Sequence, residues 1–178
     1  IQAANSVEIS GQNSGLLTSF LGLGNSGDIS LKTNNLLLKD GGVILSSAVD
    51  LSSLFDILPD DFDLTPFLDL ISLDPSLDDT AVEFINSIIN DDIETAIERG
   101  NSGDINIDAT NSFNIINEGG VFTSGTGRAL GGDISISTPN LRIQQGIIAT
   151  ETLGLNNSGK IDILNAELVE LIDGRLSS

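Results

Sequence analysis

Three aspartates sit between a glycine and an isoleucine: Gly27-Asp28-Ile29, Gly103-Asp104-Ile105 and Gly132-Asp133-Ile134. Carboxylates sharing one groove are what glycoside hydrolysis requires, one as acid and one as base or nucleophile. Asp104 with Asp108, or Asp133 with Asp104, could supply such a pair. A polysaccharide lyase would instead need a cationic or imidazole base beside an acidic sugar. The seven cations are Lys32, Lys39, Arg99, Arg128, Arg142, Lys160 and Arg175, scattered without a cluster, and the chain has no His. Without His, a hydroxyl nucleophile lacks its commonest activating base. Asp28, Asp104 and Asp133 also occupy one recurring position, and such a position serves a turn or a column more simply than an active site. No catalytic, cofactor-binding or metal-ligating residue is therefore expected.

The stretch "PDDFDLTPFLDLISLDPSLDD" is rich in Asp, and Ca²⁺ favours clustered oxygens. It lacks EF-hand spacing, and the Gly-Gly-x-Gly-x-Asp calcium repeat is missing. A solvated acidic face is the expectation there. The chain has no Cys, so thiolate metal sites and disulfides are excluded.

The elements that would carry these groups follow from an internal repeat. The Gly-Asp-Ile step returns as Gly159-Lys160-Ile161, 27 residues after Asp133, which itself lies 29 residues after Asp104. Asp28 precedes Asp104 by 76 residues, so an insertion separates them. Each unit holds three apolar pairs or centres. The first pairs are Ile29/Leu31, Ile105/Ile107, Ile134/Ile136 and Ile161/Ile163. The second are Leu36/Leu38, Phe113/Ile115, Leu141/Ile143 and Val169/Leu171. The third centres are Ile44, Phe122, Ile148 and Leu176, after Gly42, Gly120, Gly146 and Gly174. Val7/Ile9 and Gly15-Leu16-Leu17 read as a partial first unit.

Period-two alternation punctuated by Gly and Asn predicts strands. Strands this short bury their apolar pairs only by stacking unit on unit. The expected fold is all-β: a parallel β-helix, or solenoid, of about five coils with three long sheets. Inward columns would be Ile29/Ile105/Ile134/Ile161 and their counterparts. The outward column Ser30/Asn106/Ser135/Asp162 offers no Thr ladder of the kind ice binding would want. One domain is expected over 1–178.

Residues 49–98 break the pattern and are expected to form a helical, acidic insertion. They hold 14 of the 26 acidic residues and no Lys or Arg. Thr80 and Glu83 fit a capping box. Val82, Ile85, Ile89, Ile93 and Ala96 follow at helical spacing. Pro59 and Pro66 mark further helix boundaries. That apolar stripe is read first as a face packed within the insertion or on the solenoid, and second as part of a binding knob.

"GNSGDISLKTNNLLLKDGGVILSS" and "LGGDISISTPNLRIQQGIIATETLGLNNSGKIDI" resemble the repeats of filamentous-haemagglutinin-like exoproteins of the two-partner-secretion type, in their cyanobacterial form. The likeness covers roughly Asn5–Ser47 and Gly100–Ser178. It implies a right-handed β-helix exported as a fibre through an outer-membrane partner. It also implies adhesion or cell contact, through a surface receptor or glycan. Localisation would be secreted or cell-surface. The alternative on the same fold is a carbohydrate-active enzyme, hydrolase or lyase.

Net charge is -19, which disfavours nucleic acid and anionic membrane surfaces. No apolar run reaches the ~20 residues that span a bilayer, so no membrane insertion is expected. No signal-peptide pattern is present. Opening on "IQAANSVEIS" without Met, the chain reads as a piece of a longer protein whose end coils are uncapped.

Overall fold

A computed structural model describes residues 1–21, 25–49, 101–127, 129–154 and 157–178. The helical insertion expected at 49–98 lies outside the described residues, apart from Val49 at the end of a strand. Arg99 and Arg128 lie outside them too.

Among the described residues there are strands and no helix. β1 (Ser6–Ser10) and β2 (Gly15–Leu21) open the stack. β3 (Ile29–Lys39) and β4 (Val43–Val49) follow, then β5 (Ile105–Ile116) and β6 (Gly120–Gly127). β7 (Ile134–Ser137), β8 (Asn140–Gln144) and β9 (Ile147–Gly154) make the next turn. β10 (Ile161–Leu164), β11 (Leu168–Ile172) and β12 (Arg175–Ser177) make the last. Every named pairing is parallel, each strand lying on its counterpart in the neighbouring unit. The chain is a parallel β-solenoid of about four turns, beginning at Ile29, Ile105, Ile134 and Ile161, preceded by the partial unit β1–β2.

The inward columns follow the expected register. Ile29 pairs with Ile105, Ile105 with Ile134, and Ile134 with Ile161. Val7, Leu36, Phe113, Leu141 and Val169 form a second column. The middle members of both are buried and belong to one core. Alternation puts every second side chain inside, so each turn contributes apolar surface only where another turn lies above or below it.

Two details differ from expectation. The third inward column is Leu16, Ile44, Val121, Ile148 and Leu176, so Val121 points inward and Phe122 points outward beside Leu45. The matching corner glycine is accordingly Gly119, one residue earlier than Gly120. A Cβ on Gly120 would collide with the Phe122 ring. The ring fills the gap that Gly120 leaves between Val43 and Ile147 in the outward column. An apolar cover for a bare strand glycine thus outweighs a place in the core already taken by Val121.

The second difference is that the strands form two sheets, of seven and five strands, rather than three. First and second strands run together as β3 and β5, with one extra residue in β5 opposite the step from Thr33 to Asn35. Asn35 Oδ1 absorbs it, accepting from Asn111 Nδ2 (2.7 Å) and Ser112 Oγ (3.0 Å). Between β7 and β8 stands Pro139, which has no N–H for the ladder. Its carbonyl instead accepts from Glu167 (2.8 Å) and Leu168 (3.0 Å) of the next turn.

Candidate functional site

The recurring aspartates sit at the first corner, where the chain leaves the third strand of one turn for the first strand of the next. There the backbone steps out of sheet geometry for a few residues, so some of its N–H groups lose their ladder carbonyls, while Ser26 and Ser102 N–H still reach Asn101 O (2.9 Å) and Leu130 O (3.0 Å). Side chains replace the lost acceptors. Asp104 N–H donates to Asp28 Oδ1 (2.9 Å), Asp133 N–H to Asp104 Oδ1 (2.8 Å), and Lys160 N–H to Asp133 Oδ1 (3.0 Å). Gly103 N–H donates to Ser26 Oγ (2.7 Å), and Gly132 N–H donates to Ser102 Oγ. From the third strand, Thr123 Oγ1 donates to Gly132 O (2.6 Å) and Thr150 Oγ1 to Gly159 O (2.7 Å). Each turn is stapled to the next through charged and hydroxyl acceptors, and charge-assisted bonds are the stronger kind.

Glycine is required here by contact. A Cβ on Gly103, Gly132 or Gly159 would overlap the carbonyl of the glycine one turn earlier. The Gly-Asp-Ile step is thus one device: Gly permits close approach, Asp accepts the next N–H, and Ile enters the core.

The carboxylates considered for hydrolysis are engaged in this stacking. Asp104 and Asp133 are staples, and Asp108 Oδ2 lies 3.0 Å from Lys32 Nζ on the neighbouring turn. The described cations likewise pair with acids of adjacent turns: Lys39 with Glu8 (2.7 Å), Arg142 with Glu170 (3.3 Å), and Arg175 with Glu151 (3.9 Å). Lys160 reaches Asp162 (3.0 Å) and Asp133 (3.8 Å). A hydrogen bond to Glu8 raises the pKa of Lys39, and one to Asp162 raises that of Lys160, with Coulombic attraction adding to each. The structure therefore leaves these cations spread along the stack, as the sequence predicts, and no basic cluster forms among the described residues.

A second corner, between second and third strands, has the opposite character. Asp40, Asn117, Gln145 and Asp173 adopt left-handed backbone conformations, with φ of 53°, 47°, 53° and 52°. Here backbone N–H groups find backbone carbonyls on the next turn: Asn117 N–H reaches Gln144 O (3.1 Å), and Gln145 N–H reaches Ile172 O (2.9 Å). The side chains stay exposed. Two open cavities lie along this edge. One, of about 550 Å³, is lined by Gln12, Asp40, Asn117, Glu118 and Gln145. The other, of about 460 Å³, brings Glu118, Gln145, Asp173 and Arg175 around Phe122 and Ile147. An aromatic ring flanked by carboxylates and an amide can contact the apolar face and the hydroxyls of a sugar.

This second corner escaped sequence reasoning. Its signal is a polar residue before each corner glycine: Glu118-Gly119, Gln145-Gly146 and Asp173-Gly174. The outward column Ser30/Asn106/Ser135/Asp162 lies where alternation predicts. Among the described residues no group of three or more acids is placed to hold a metal. The Asp-rich stretch "PDDFDLTPFLDLISLDPSLDD" lies outside them. Among the described residues no helix is long and apolar enough to cross a membrane. Comparison with known protein families, curated proteins and solved structures finds no match for this chain.

Proposed function

We propose that this chain is a non-catalytic, stiff segment of a secreted or cell-surface adhesive fibre. It would be a right-handed β-helical shaft carrying the acidic residues 49–98 as a displayed helical insertion. The likeness of its repeats to filamentous-haemagglutinin-like exoproteins supports export through an outer-membrane partner and contact with a surface receptor or glycan. The observation that carries the reading is the use of Asp28, Asp104 and Asp133 as inter-turn staples. Carboxylates already accepting backbone N–H groups serve rigidity, and rigidity is what holds a binding surface away from a cell.

A second reading, a glycan-cleaving enzyme, draws on Glu118 and Asp173, which line one cavity with Phe122. One experiment separates the two. The purified chain is immobilised, and both retention of cells or glycans and release of reducing ends from polysaccharides are measured. Retention without release is expected. Release that disappears in Glu118→Gln would replace the shaft reading with the enzyme.

A further inference from the structure

The two sheets differ in what they turn outward. The seven-stranded sheet presents Ser30, Asn106 and Ser135 in one column and Lys32, Asp108 and Ser137 in the next. The five-stranded sheet presents Val43, Gly120 and Ile147, then Leu45, Phe122 and Ala149. Val43, Leu45, Phe122 and Ile147 are half-buried, each keeping part of its side chain in water where alternation calls for a polar residue. β4, β6 and β9 each have a paired neighbour on both sides, so this strip lies on the flank of the stack. On one side it runs into the second corner, where a cavity of about 460 Å³ joins Phe122 and Ile147 to Glu118 and Gln145. On the other side stand Ser47, Ser124 and Glu151. Asp40 and Glu118 accept from the side-chain amides of Asn117 (3.2 Å) and Gln12 (3.3 Å). No described cation forms an ion pair with either.

We infer that this face binds a protonated amino-sugar chain, a glycan of the unacetylated glucosamine type. A pyranose has an apolar C–H face that lies on the Phe122 ring and its aliphatic neighbours. Its rim of hydroxyls reaches the hydroxyl and amide groups on the two sides of the strip. Its ammonium complements Glu118 and Asp40 and is attracted to the ring as well. A neutral sugar leaves those carboxylates without a cation, and an acidic one is repelled by a chain of net charge -19. An extended peptide fits less well, because strands paired on both sides offer no ladder groups to its backbone. The inference rests on the adhesive reading and names the ligand class of that contact.

Calorimetric titration of the whole chain with a glucosamine hexamer, in mildly acid buffer with added salt, tests it. Saturable binding is expected, roughly tenfold tighter than for the N-acetylated hexamer, which lacks the ammonium. Phe122→Leu keeps an apolar cover over Gly120 but removes the ring, and should weaken binding about fivefold. Glu118→Gln should weaken it about threefold, the worth of one exposed ion pair. Asp108→Asn removes one negative charge from the other sheet and should leave binding unchanged. Absence of saturable binding would overturn the proposal. So would unchanged binding by Phe122→Leu, or equal losses in Asp108→Asn and Glu118→Gln, since either reduces the effect to attraction between a polycation and an acidic chain. A lysine hexapeptide that binds as tightly and loses as much in Phe122→Leu would overturn it in favour of a basic peptide. The titration uses no cells. Cell retention by the immobilised chain without glucosamine binding therefore refutes the ligand and spares the adhesive reading, and glucosamine binding without retention does the reverse.

Discussion

At the first corner, Asp28, Asp104 and Asp133 each receive a backbone N–H from the following turn. At the second, Asp40, Asn117, Gln145 and Asp173 leave the backbone to pair with itself and line open cavities. Both corners are polar, glycine-bearing and repeated. What separates them is where the backbone N–H groups find acceptors. Where the chain departs from sheet geometry, side chains must supply the acceptors and are spent on the fold. Where carbonyls still reach, the side chains are not needed as backbone acceptors: Asn117 Nδ2 donates to Asp40 Oδ1 of the neighbouring turn (3.2 Å), and the corner faces solvent. Recurrence alone therefore does not reveal whether a polar position is structural or free.

The strongest test of this contrast is steric. Gly132→Ala forces a methyl into the Gly103 carbonyl and is expected to cost about 3 kcal/mol, as overpacking does. Gly27 holds the same repeat position but, among the described residues, faces only Thr18 Cγ2, at 3.9 Å from an added Cβ. Gly27→Ala should leave the denaturation midpoint almost unmoved. Equal losses at both glycines would show that close approach between turns is not what the position requires. The staple itself is the next largest effect. Asp104→Ala leaves the Asp133 N–H without its acceptor and should lower stability by about 1 kcal/mol, the usual worth of such a bond. Asp104→Asn keeps an acceptor oxygen and should recover most of that loss in urea titrations.

These corners also mark what could be read from the residues alone. The columns Ile29/Ile105/Ile134/Ile161 were legible because alternation fixes which face is buried. The recurrence of Asp28, Asp104 and Asp133 was legible as a column position, but its bonding was not. It depends on which N–H groups the corner strands, a matter of backbone path. Spacing from Gly120 puts Phe122 in the core column, but the register makes Gly119 the corner glycine, and Phe122 instead covers Gly120, an outward neighbour two residues away. The merging of first and second strands in β3 and β5 was hidden for a similar reason. Asn punctuates the alternation in sequence, yet at Asn35 and Asn111 the side-chain amides bond across the bend and the strand continues through it.

The second corner gives the third prediction. Gln145 holds φ of 53°, a conformation that costs an L-residue about 1–2 kcal/mol, and Gln lacks the local bonding that helps Asn and Asp there. Gln145→Gly should therefore raise stability by up to about 1 kcal/mol, part of the relief being offset by backbone entropy. A glycine that stabilises one corner, beside an alanine that breaks the other, is the contrast in its sharpest form. If Gln145→Gly destabilises the chain, the exposed side chains of the second corner carry structural load after all.

The smallest effect concerns Lys160, which stands where the three preceding Gly-x-Ile steps carry Asp. Its N–H still takes the Asp133 staple, while its ammonium faces Asp162 and Asp133. These neighbours raise its pKa above the ordinary 10.5, as Glu8 does for Lys39. A raised folded-state value means that the contribution is complete below the unfolded pKa. It fades as pH climbs through the folded one. Stability should accordingly dip slightly in alkaline solution above about pH 10.5 and be flat below it, so far as lysines are concerned. Lys160→Gln should flatten part of that dip while keeping the backbone staple, because the N–H donor is unchanged. Lys160 is exposed and Lys39 half-buried, so the dip should shrink in high salt. An alkaline dip of unaltered size in Lys160→Gln would mean that its ammonium adds nothing to the other hydrogen bonds that join these two turns at the corner.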